Sequence, residues 1–163
     1  MQWWVIIIIF LLLIRIIYTT YTLTYINQEM IVYKDNERNV KAKEYLSSAV
    51  ILGWCFVTII SACLISFGVI IFVGYQESFS EKIWKNITYY EYSILSFIIF
   101  VFIVIGILSL SAAINLKYSS TLSLNKEVYD DCYSTSVICL IGIAVTIIFF
   151  SIRIYISEKE IVF

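Results

Sequence analysis

The chain has 163 residues, enough for one soluble domain, yet 61% are hydrophobic and only 14% charged. A globule of that size has too little interior to hide so much apolar surface, and a net charge of −1 argues against a basic nucleic-acid surface or an acidic tail. Histidine is absent, as is proline, so the commonest neutral-pH general base and metal ligand is missing and an enzyme is not expected.

The first stretch, Met1 to Ile14, is uncharged and opens with Trp3-Trp4. It lacks the basic start and small-x-small cleavage pattern of a signal peptide, so a retained span over about 3–26 is expected, with the tryptophans at one interface. Arg15 is its odd residue. Arg15, Tyr18, Thr22 and Tyr25 recur at three- and four-residue spacing and share a helical face. Two readings of Arg15 stand: it snorkels to the nearer interface, or it makes a buried contact with a partner's carboxylate or a lipid phosphate.

Residues 27–44 form a polar, mixed-charge loop in which Asp35, Asn36 and Asn39 are candidate N-caps. From Tyr45 to Gln76 not one side chain is charged, which is longer than the about 20 residues a bilayer's hydrocarbon core requires. This second span, about 45–74, carries Ala49-x-x-x-Gly53 and Ala62-x-x-x-Ser66, with Ser61 and Gly68 extending the theme. Apolar burial does not drive helices together in lipid, so such small residues are expected to be packing contacts.

The polar loop 75–91 holds Glu77, Glu81, Lys82, Trp84 and Lys85, with Phe79, Ile83 and Ile87 at four-residue spacing. That pattern predicts a short amphipathic helix on the membrane surface. Asn86-Ile87-Thr88 is a weak glycosylation sequon at Asn86. The third span, about 92–116, places Gly106, Ser109 and Ala113 on one close-packing face. Loop 117–131 leads to a fourth span, about 132–156, with Thr135, Cys139, Gly142 and Thr146 in a weakly polar stripe. Arg153 lies in its last turn, another possible partner or lipid contact, and 157–163 is a short tail.

The side bearing the first and third loops has seven basic residues, counting Arg15, against Lys82, Lys85, Arg153 and Lys159 on the other. That bias puts loops 27–44 and 117–131 in the cytoplasm. Four cysteines form no C-x-x-C pair, and no carboxylate lies deep in a span. No catalytic residue, metal, cofactor or small-molecule substrate is therefore expected, nor is a nucleic-acid partner.

The basic-tyrosine run Lys41-Ala-Lys-Glu-Tyr-Leu46, then Gly53-Trp54, then Gly106-Ile-Leu-Ser-Leu-Ser-Ala-Ala113 ahead of Lys117, resembles small multi-span proteins of the internal membrane of large icosahedral DNA viruses. The resemblance covers the second and third spans and brings no active-site residues. It implies a structural protein in the lipid layer beneath a capsid, meeting capsid proteins through polar loops. The expectation is thus an all-α, four-span, non-enzymatic membrane protein of a larger assembly, with spans two to four as its core and the bulky first span packing peripherally or against a partner. Two alternatives are an accessory subunit of a mitochondrial or other energy-transducing complex from an AT-rich genome, and a small channel or transporter.

Overall fold

The computed structural model describes the backbone of residues 3–76 and 81–161. It is 88% helical, without strands among the described residues. Four helices follow in order: α1 (Trp3–Glu29), α2 (Glu37–Gln76), α3 (Glu81–Lys117) and α4 (Lys126–Ile161). Each contains a stretch long and apolar enough to cross a membrane, Ile7–Glu29, Glu37–Ser66, Tyr92–Lys117 and Lys126–Ile152. The chain is an all-α, four-span integral membrane protein.

The helices overrun the spans predicted from hydropathy. Lipid decides where a span stops, whereas a helix continues until a cap or breaker stops it, and neither proline nor glycine interrupts residues 37–44 or 81–91. Asn36 caps α2, its Oδ1 accepting from the Asn39 N–H at 3.1 Å, while its own carbonyl accepts from the Val40 N–H. The first connection therefore shrinks to 30–36, and the third to 118–125. Residues 81–91 are the opening turns of α3, not a separate surface helix. Residues 77–80, including Phe79 of that pattern, lie outside the described residues.

Sequential neighbours pack as antiparallel hairpins. α3 packs most closely on α4 and on α2, α1 packs mainly on α2, and a shorter α1–α4 seam closes the bundle. Ile16, Leu23, Leu46, Leu95, Phe102 and Leu116 are fully buried along its length. Between α2 and α3 the Phe56 ring stands edge-on to Phe97 at 5.7 Å and to Phe100 at 6.0 Å.

The first span is not peripheral to the core but part of it, packed on α2 and α4. Ile9, Leu12, Leu13, Ile16, Thr19, Thr20, Leu23 and Ile26 form a continuous buried stripe at three- and four-residue spacing. Gly53 of α2 makes room for it: a Cβ there would stand 2.7 Å from Cγ2 and Oγ1 of Thr20. Around that contact, the Trp54 indole donates to Thr24 Oγ1 at 3.1 Å, Ser47 Oγ donates to Asn27 Oδ1, and Lys43 Nζ donates to the Asn27 carbonyl.

Candidate functional site

The most developed polar chemistry lies at the end of the bundle where connections 30–36 and 118–125 meet. Asn39, in the first turn of α2, is completely buried. Its Oδ1 accepts from the Tyr33 N–H at 3.0 Å, and its Nδ2 donates to Thr121 Oγ1 at 2.9 Å and to the Ile31 carbonyl at 3.3 Å. Every hydrogen-bonding direction but one acceptor lone pair of that amide is thus used.

Asn125, the last residue before α4, holds the same strand of backbone from the other side. Its Oδ1 accepts from the Ile31 N–H at 3.1 Å and its Nδ2 donates to the Ile31 carbonyl at 3.2 Å. Asn36 completes the set, donating from Nδ2 to Ser119 Oγ and Ser120 Oγ, each at 2.9 Å. Inside the third loop, Ser119 Oγ lies 2.7 Å from Thr121 Oγ1 and accepts from the Thr121 N–H. At the rim, Arg38 donates to the Tyr118 carbonyl and stacks over the Tyr118 ring at 5.5 Å. Three asparagines therefore tie the two loops into one unit. A satisfied network of this kind has little freedom to act as acid or base; it rigidifies. Outside it lies an open cleft of about 600 Å³ edged by Asp35, Glu37, Arg38, Tyr118 and Ser120.

The residues predicted for helix packing divide. Gly53 meets Thr20 as described, a Cβ on Gly106 would stand 3.1 Å from Cys139 Cβ, and one on Gly142 would meet the Phe102 ring at 3.0 Å. Ala113, Ser109 and Cys139 are buried beside them. Among the described residues Ser109 Oγ has no hydrogen-bond partner, so it is the size of that residue that serves the seam. Ser61 is only half-buried, and Gly68 is exposed with no described atom within 4 Å of a built Cβ. No described residue therefore packs on Gly68. The side chains of Asn86 and Arg153 lie outside the described residues.

Arg15 is half-buried on the α1–α4 seam, its guanidinium 5.5 Å over the Tyr18 ring. It lines a slot of about 160 Å³ with Tyr18, Thr22, Asp131, Ser134 and Thr135. Sequence reasoning found Arg15 and its tyrosine but not Asp131, which reads as an ordinary loop residue until α4 is seen to begin at Lys126. A second, apolar groove of about 240 Å³ runs between α3 and α4 past Gly106 and Cys139. The four cysteines are free, Cys55 exposed and Cys132 and Cys139 buried, and no cluster of metal-ligating side chains occurs among the described residues.

Compared with family models, with curated proteins and with solved structures, the chain matches none.

Proposed function

We propose that this chain is a non-enzymatic structural protein of a membrane-embedded assembly, whose looped end serves as a preformed contact surface for neighbouring proteins. The observation that carries this reading is the asparagine network, which fixes connections 30–36 and 118–125 against each other through Asn36, Asn39 and Asn125. A surface held in one shape before binding loses little conformational freedom on contact, the property a static scaffold needs. The cleft above it presents Asp35, Glu37 and Arg38, charges suited to a polar protein partner.

The basic-residue bias puts this end in the cytoplasm. The resemblance of residues 41–46, 53–54 and 106–113 to small membrane proteins of large icosahedral DNA viruses directs the proposal to a virion's internal membrane, with capsid proteins as the partners.

Crosslinking mass spectrometry on the native membrane tests this, using Lys34, Lys41, Lys43, Lys117 and Lys126 on the looped side and Lys82, Lys85 and Lys159 on the other. Links from the looped side to capsid or scaffold proteins are expected. Links to respiratory or transport subunits would overturn the proposal.

A further inference from the structure

We propose that the slot between α1 and α4 binds the headgroup of a phospholipid bearing a primary ammonium, its phosphate on Arg15 and its amine on Asp131. The inference is independent of the assembly reading.

Arg15 stands fourteen residues before the end of α1 at Glu29, about 21 Å below the looped end of the helix. A guanidinium at such depth is costly unless something answers its charge. Among the described residues the only ion pair is Lys41–Glu37, so no carboxylate among them pairs with Arg15 directly. The Arg15 guanidinium, 5.5 Å over the Tyr18 ring, lies at the inner end of the slot.

Asp131 lies five residues into α4, at the outer end of the same slot. Because α1 and α4 are antiparallel, the lining residues 15–22 and 131–138 each cover about 10 Å of axis, with Arg15 at the inner end and Asp131 at the outer. The two charges thus face one cavity without touching. Its volume of about 160 Å³ exceeds what a single bridging water fills.

The order of groups matches a lipid in a bilayer. Deeper than the slot, both helices expose apolar residues, among them Leu11, Ile14, Ile141 and Val145, a surface for acyl chains. Arg15 comes next and Asp131 lies about 10 Å farther out, so a phosphate on Arg15 is drawn inward from an amine held at Asp131.

The hydroxyls fit the same polarity. Thr22 donates its hydrogen to the Tyr18 carbonyl at 3.0 Å, so its oxygen is left as an acceptor for an ammonium N–H. Tyr18 is exposed beside the guanidinium and can donate to a phosphate oxygen. Glu29 and Glu127 lie close enough to act electrostatically on Tyr25 together with Asp131, which makes the mouth of the slot acidic. An anionic lipid would set net negative charge against these carboxylates. A choline headgroup carries the charge but offers no N–H to Asp131 or Thr22.

The test is native mass spectrometry of the purified full chain in mild detergent, offered equal amounts of dioleoyl phosphatidylethanolamine, phosphatidylcholine and phosphatidylglycerol. The ethanolamine lipid is expected to dominate the adducts by about tenfold, the effect of one charge-assisted hydrogen bond. Asp131→Asn should abolish that preference while phospholipid still binds, and Arg15→Gln should remove binding of all three. Asp131 is exposed, so its variant keeps the test decisive if Arg15→Gln fails to fold, with helicity checked by circular dichroism. Equal adducts of the three lipids, a preference for phosphatidylglycerol, or an Asp131→Asn profile like that of the unaltered chain would each overturn the proposal.

Discussion

Asn39 and Thr121, 82 positions apart in sequence, meet through a 2.9 Å hydrogen bond that is buried from solvent. It joins the first hairpin of the bundle to the second at their shared end. Replacing Asn39 by Leu removes the acceptor of the Tyr33 N–H in a site with little water and takes one of two partners each from the Ile31 carbonyl and Thr121 Oγ1, which keep Asn125 Nδ2 and Ser119 Oγ. The expected loss is about 3 kcal/mol, read by reversible unfolding in mixed micelles. A double-mutant cycle of Asn39→Ala with Thr121→Ala should show coupling of about 1 kcal/mol, and additivity would mean that the two loops are not joined here.

Gly53→Ala should destabilise by about 1–3 kcal/mol, because its methyl would fall on the stiff β-branched side chain of Thr20. Thr20 has no easy escape, since its hydroxyl is held by the Ile16 carbonyl at 2.9 Å. Combining the substitution with Thr20→Ala should return most of the loss. Gly68→Ala, on an open face, should change stability by no more than about 0.5 kcal/mol in the same assay.

Much of this fold was legible in the sequence, and the reason it stopped being legible is physical. Uncharged runs such as 45–76 announce a helix because a bilayer tolerates little else. They do not announce which face turns inward, since lipid and neighbouring helices are equally apolar. Gly53 and Gly68 therefore read alike, though of the two only Gly53 meets a described residue. The asparagines show a second limit. Asp35, Asn36 and Asn39 are all candidate caps of α2 by sequence; Asn36 is the cap, and Asn39 is the buried hub. What separates them is a loop more than 80 residues away, beyond the reach of local pattern. Asn125 gave no signal at all, because its partners are the backbone groups of Ile31.

Ser109→Ala should leave stability unchanged or raise it by up to about 1 kcal/mol, since the hydroxyl removed is buried and unpartnered. Ser109→Leu should do the reverse, as the added bulk forces α3 from its neighbours. The same micelle unfolding assay reads the two signs.

Orientation can be read by labelling. With the four native cysteines replaced by alanine, Ser120→Cys on the exposed rim of the third loop should react with a membrane-impermeant maleimide from the cytoplasmic side alone. Reaction from the opposite side would invert the topology.

The hydrogen bonds that cross between the two loops span 80 to 94 residues of chain. Synthesis runs from the N-terminus, so α1 and α2 are complete while Thr121 and Asn125 do not yet exist. During that interval Asn39 and Ile31 have water in place of Thr121 and Asn125, while the first hairpin is held by its own contacts, Gly53–Thr20, Trp54–Thr24 and Asn39–Ile31 among them. Completion of the second hairpin then closes the pair from the same face of the bilayer, with no polar group having to cross it. The order of translation thus becomes an order of assembly, with the residues around Asn125 as its last fastening.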